Sequence, residues 1–144
     1  ASWLQLERKV GKVMKISING NDLDVSLAED EYTRSNGLMN TKQLASNHGM
    51  LFRWPEASPR SFWMKDTSIP LDIAFIADDG TITNIEQMVP FSLKSVLSTK
   101  PASCALEVNS GWFKEKGIKP GDTVDGVFNF QKVESQPSKQ PNGK

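Results

Sequence analysis

Asn19-Gly20 lies between two alternating runs, and this arrangement limits the possible folds more than any other stretch of the chain. Met14, Ile16 and Ile18 alternate with Lys15 and Ser17 before it, and Leu23, Val25 and Leu27 alternate with Asp24 and Ser26 after it. Both residues of this dipeptide tolerate positive φ, the backbone a two-residue hairpin turn needs, so residues 12–28 are predicted to form a β-hairpin. Asp79-Gly80 repeats the signal between apolar runs at 71–77 and 81–88.

Further strands are expected at 50–54, where Pro55 should stop the run, and at 61–65, 103–108 and 122–130. Residues 55–60 hold two prolines and read as a turn. Residues 29–36 begin acidic and reach Arg34 just before Gly37, the charge order and stop signal of a short helix. A second short helix is expected to run through Lys116 to Gly117, capped by Asn109 or Ser110. Residues 90–101 form a long connection with a helical turn near Leu93–Leu97. Residues 1–11 read as a lead-in, and the polar tail 131–144 is expected to be disordered. The fold class is therefore α+β. One compact domain over 12–130 is expected, with a strongly curved, mostly antiparallel sheet or partly closed barrel and two short helices.

Composition narrows the function classes. Seventeen basic and seventeen acidic residues cancel, so no long-range field favours nucleic acid or an anionic membrane, and no nucleic-acid partner is expected. No apolar run reaches the length of a membrane span, and a monomer is expected. The start Ala1-Ser2-Trp3 fits a mature end left by cleavage after a small residue, and fits a cloning remnant equally well. Cys104 is the single cysteine and sits in an apolar strand, where a thiol is inert packing. His48 is the single histidine, in a polar loop, so a His/Cys metal cluster is excluded and no metal or cofactor is expected. Asp78-Asp79-Gly80 lacks the alternating oxygen ligands of a calcium loop, and no phosphate loop is present.

The chemistry concentrates in Phe62-Trp63-Met64-Lys65 and the following Ile69-Pro70-Leu71-Asp72-Ile73. Strand parity sets Asp72 opposite Leu71, Ile73 and Phe75, and sets Glu107 opposite Cys104, Leu106 and Val108. Trp63 and Lys65 share a face. Lys65 and Arg34 are available to neutralise the two carboxylates. Arg34, Trp63, Lys65, Asp72 and Glu107 are thus expected to gather into one site, with Trp63 as a stacking face at its edge. Two readings compete: a structural ion-pair network and a pocket for a polar ligand. If the network is structural, truncating Asp72 or Glu107 should cost about 3–5 kcal/mol. A third reading takes Asp72 and Glu107 as the catalytic acid and base of a small glycoside-cleaving enzyme. A protein-interaction module using 90–101 or 131–144 is a further alternative.

Four segments together resemble the bacterial domain-of-unknown-function family 192. They are Arg34-Ser35-Asn36-Gly37-Leu38-Met39, Gly49-Met50-Leu51-Phe52, the Phe62 to Ile73 stretch, and Leu106-Glu107 through Gly111-Trp112 to Gly117-Ile118-Lys119-Pro120-Gly121-Asp122. The resemblance spans about residues 12–128. It implies a compact α+β domain, often exported, without an assigned activity, so a periplasmic or secreted setting is expected and a cytoplasmic one stays open. The family often carries an Arg shortly after the Gly-Leu-Met segment, where this chain has Asn40-Thr41-Lys42; Lys42 would replace it without bidentate geometry. The leading expectation is a ligand-binding domain for a saccharide or other small polar molecule.

Overall fold

The computed structural model describes residues 12–127. The expected lead-in at 1–11 and tail at 131–144 lie outside them.

The first hairpin forms as the alternation requires. Strand β1 (Val13–Ile18) pairs antiparallel with β2 (Asn21–Ala28), and the turn between them places Asn19 at φ 52 and Gly20 at φ 78. Helix α1 (Glu31–Asn36) follows. The Asp30 carboxylate accepts from the Thr33 amide at 2.7 Å and the Thr33 hydroxyl accepts from the Asp30 amide, a reciprocal cap that satisfies two otherwise orphaned donors.

After α1 the chain enters β3 (His48–Ser58), which lies parallel to β2. The sheet is therefore mixed; β2–β3 is its one parallel pair and the other pairs are antiparallel, so the mostly antiparallel expectation holds in part. Pro55 does not end β3 either. The ladder to β8 (Ala102–Asn109) shifts register between Arg53 and Ser58, so Pro55 sits where no ladder hydrogen bond is asked of it. Ser61–Phe62 (β4) is all of the expected 61–65 strand that forms, and it pairs with Val96–Leu97 (β7) in a separate two-stranded sheet. The helical turn expected near Leu93–Leu97 is thus replaced by a strand, because β4 offers those residues an edge. The second hairpin joins β5 (Leu71–Ile76) to β6 (Ile82–Met88), with Gly80 at φ 88 and the Asp79 carboxylate accepting from the Thr81 amide. Helix α2 (Trp112–Glu115) and β9 (Val124–Asp125) complete the described chain.

The seven-stranded sheet runs β6-β5-β8-β3-β2-β1-β9 and curls until its ends meet. The Ile82 amide donates to the Asp122 carbonyl, the Gly121 amide to the Ile82 carbonyl and the Val124 amide to the Gly80 carbonyl. The result is a half-barrel in a compact α+β fold. Its two faces carry separate cores. Ile16, Leu23, Val25, Leu51, Ile76, Leu106 and Phe113 belong to the first, and Phe52, Met64, Leu71, Ile73, Phe75 and Met88 to the second. Burial on both sides explains why β5 and β8 read as continuous apolar runs rather than alternating ones. Among the described residues, no helix is long and apolar enough to cross a membrane.

Gly49 leaves no room for a side chain between β3 and β8. A Cβ built on it would stand 2.7 Å from the backbone carbonyl oxygen of Glu107. Gly49→Ala must push β3 away from β8, and we expect a loss of about 1–3 kcal/mol in urea unfolding. An unchanged midpoint would show that the ladder gives way without cost.

Candidate functional site

An open cleft of about 450 Å³ lies over the second core. Three parts of the chain build it. Helix α1 and the residues after it contribute Glu31, Arg34, Asn36 and Met39; β4 and the stretch after it contribute Phe62, Trp63 and Met64; the larger sheet contributes Phe52, Trp54 and Glu107.

Glu107 is the central group. It stands on β8 between Met50 of β3 and Ile73 of β5, in the middle of the sheet. It is 4% exposed, and burial alone pushes its carboxyl up to about 8 from the ordinary 4.5. Among the described residues, no side chain or amide makes a hydrogen bond or ion pair with that carboxyl. The carboxyl oxygens are not sealed off: they open onto the cleft, where an incoming group can reach them, while the buried surroundings keep the charged form costly.

Arg34 reaches the cleft from α1 but is committed to the backbone. One of its guanidinium nitrogens donates to the carbonyl of Arg53 at 2.9 Å and to that of Glu29. Its guanidinium carbon also lies 5.6 Å from the Trp54 ring centroid. The opposite charge on this junction is Glu29, which forms an ion pair with the buried Arg53. Arg60 stacks closer on Trp54, at 3.9 Å, while its Nε donates to the Ala102 carbonyl at 2.9 Å. Trp54 is thus occupied by arginines. Phe62 is likewise engaged, edge-on to Phe52 at 4.8 Å and to Phe75 at 5.8 Å. Trp63 differs: it lines the cleft, is 48% exposed, and carries the Lys65 ammonium 5.5 Å from its ring centroid.

The expected five-residue site is therefore only partly assembled. Arg34, Trp63 and Glu107 line one cleft, and Lys65 stands beside Trp63 without lining it. Asp72 is elsewhere. It pairs with Val108 across β5 and β8 while Glu107 pairs with Ile73, so the two carboxylates leave opposite faces of the sheet. The cluster of four charges does not form, and the paired-carboxylate mechanism loses its geometry. Asp72 instead accepts from the Gly111 amide at 2.8 Å, at the start of α2, which has no side-chain cap of its own. The expected caps, Asn109 and Ser110, are displaced from this role by an acceptor from across the sheet. Asp72→Ala should cost about 1 kcal/mol and leave the cleft intact, which thermal melts and the tryptophan emission spectrum will check. A loss of several kcal/mol would restore the ion-pair reading.

Other groups keep peripheral places. Lys42 is exposed and does not line the cleft. His48 is exposed with its Nδ1 3.0 Å from the Ser46 carbonyl. Cys104 is buried, which pushes its thiol up to about 12 and keeps it protonated. Among the described residues no group of acidic, His and Cys side chains could hold a metal ion. The reading of the sequence missed Phe52, Trp54 and Arg60. The first two look like core aromatics in an apolar run, and Arg60 lies in a segment that reads as a turn.

The comparisons place these residues in a family. The DUF192 profile, described as Uncharacterized ACR, matches residues 14–126. No curated protein matches the chain. A crystal structure from Sinorhizobium meliloti, of a protein whose name proposes a transcription regulator, is 41% identical, with a TM-score of 0.78 over 81% of this chain and 95% of that one. A protein of unknown function from Novosphingobium aromaticivorans is 30% identical, with a TM-score of 0.78 over 81% of this chain and 86% of its own. The family profile spans all of the first hairpin but Val13, the whole of the second and every cleft residue named above, and the chain belongs to DUF192.

Proposed function

We propose that the cleft binds a small polar molecule, a saccharide among the candidates, stacked on Trp63 and hydrogen-bonded by Glu107. One observation carries this reading: the Glu107 carboxyl is buried at the cleft with no hydrogen-bonding partner among the described residues, while the half-exposed Trp63 indole, touched by Lys65, stands at the rim. A ligand that reaches both would satisfy the carboxyl and cover the ring. Polar groups at Asn36, Ser61 and Thr67 line the same cleft and suit a ligand with several hydroxyls or amides.

The test is a panel of mono- and disaccharides and other polar metabolites, followed by NMR of the tryptophan indole signals and by thermal shift. Ligands should move the Trp63 signal and raise the melting temperature. Trp63→Ala should weaken binding roughly tenfold without altering the parent fold, because that ring is half exposed. A panel that leaves the Trp63 signal unmoved would defeat the proposal.

A further inference from the structure

Resting on that reading, we infer that the ligand carries an amine, and that its ammonium group seats on Glu107 between the aromatic and methionine side chains of the cleft. A hydroxyl could use the same carboxyl, but the surroundings favour a cation. Beside its polar groups the cleft is rich in rings and thioethers: Phe52, Phe62, Trp63, Met39 and Met64 all line it. Ring faces and polarisable sulfurs attract a desolvated ammonium more strongly than a neutral hydroxyl.

The charges point the same way. From α1, Glu31 and Arg34 face the cleft. Arg34 is held by two backbone carbonyls and a tryptophan ring, and it makes no ion pair with Glu107. On the 61–67 segment, Lys65 lies against Trp63 and Asp66 is exposed, neither lining the cleft. On the flanking strands, Met50 and Ile73 are the direct neighbours of Glu107, while Asp72 of β5 and Arg53 of β3 fall out of phase with them and leave the opposite face. Among the described residues no lysine or arginine pairs with the carboxyl, and the ligand's ammonium is the cation that fits it. Burial keeps Glu107 protonated until about pH 8, so seating the amine requires that proton to leave for solvent. The exchange is balanced: below about pH 8 one proton is released from the carboxyl for each ammonium bound, and above it the ionised carboxylate takes the ammonium without proton release.

The probes are phenethylamine and its neutral isostere phenethyl alcohol, read by the indole NMR signals of the full chain. Phenethylamine should bind at least tenfold more tightly than the alcohol above pH 8. Its affinity should fall about tenfold for each pH unit below that, because the carboxyl must be deprotonated first. Calorimetry near pH 7 in two buffers of different ionisation enthalpy should count the released proton. Glu107→Gln should remove the amine preference and the pH slope together. Equal binding of amine and alcohol, or an amine affinity independent of pH, overturns the inference. Saccharides that bind while phenethylamine does not would overturn it and leave the proposed small-molecule cleft standing. Failure of every probe, amine, alcohol and saccharide alike, would overturn both.

Discussion

Glu107→Gln should be more stable than the parent at alkaline pH, by several kcal/mol, and should lose that advantage in acid. The sign follows from the buried carboxyl. Its folded-state value is raised to about 8, against an ordinary 4.5 in the unfolded chain. Below the lower value both states are protonated and the carboxyl costs nothing through ionisation. Between the two values the unfolded state ionises while the folded state holds its proton, so stability falls by about 1.4 kcal/mol per pH unit. Above the higher value both states are ionised and the loss reaches its plateau. Glutamine keeps the shape and cannot ionise, so the variant escapes this slope. Urea unfolding of both proteins from about pH 4 to pH 9 supplies the comparison. A stability difference that does not change across that window would mean that the carboxyl is solvated or paired. This outcome differs from the expectation that removing Glu107 breaks an ion pair, because among the described residues no cation pairs with it.

Glu29→Ala should be among the most damaging single changes in the described chain. Its carboxylate pairs with the Arg53 guanidinium, whose side chain is 3% exposed. Truncation removes the carboxylate that faces this buried guanidinium and opens a cavity beside it, and breaking a buried pair from one side costs about 3–5 kcal/mol. For a domain of this size that is a drop of roughly 10 °C in melting temperature. Because Arg34 donates to the carbonyls of both Glu29 and Arg53, α1 should loosen from β3 as well. The control is the double variant Glu29→Leu with Arg53→Met, which replaces both charges with apolar groups. It should recover most of the lost stability, as it leaves no unpaired ion. A double variant as unstable as Glu29→Ala would show that shape, rather than charge, is what the pair contributes.

Local signals were legible in the sequence and relational ones were not. Asn19-Gly20 and Gly37 announce their structures because the backbone angle they supply is a property of the residue itself. The within-strand parity of Asp72 and of Glu107 was also readable. What was hidden was the register between β5 and β8, which alone decides whether two odd-and-even patterns meet on one face. The parallel pairing of β2 with β3 was hidden for a similar reason, as a strand's alternation is the same whichever way its neighbour runs. Pro55 misled because the absent ladder partner at its position is a tertiary fact. In the site, Trp63 and Glu107 could be singled out, since a charge and a large ring among strand residues are conspicuous. Trp54 could not, because its two arginine neighbours come from α1 and from the segment before β4.

The meeting of the sheet's two ends has a consequence for how the chain acquires its shape. Ser17 pairs with Asp125, and the amide of Val124 reaches back to Gly80, so the seam is sewn by the last described residues. During synthesis, β1 and β6 both wait with open edges until residues near 120 leave the ribosome. Contacts so distant in sequence carry a large loop-closure cost and slow the final step. Until the seam closes, each edge is a template for a neighbouring chain. A nascent chain stopped short of Gly121 would therefore be a candidate for chaperone capture, even with both hairpins already in place.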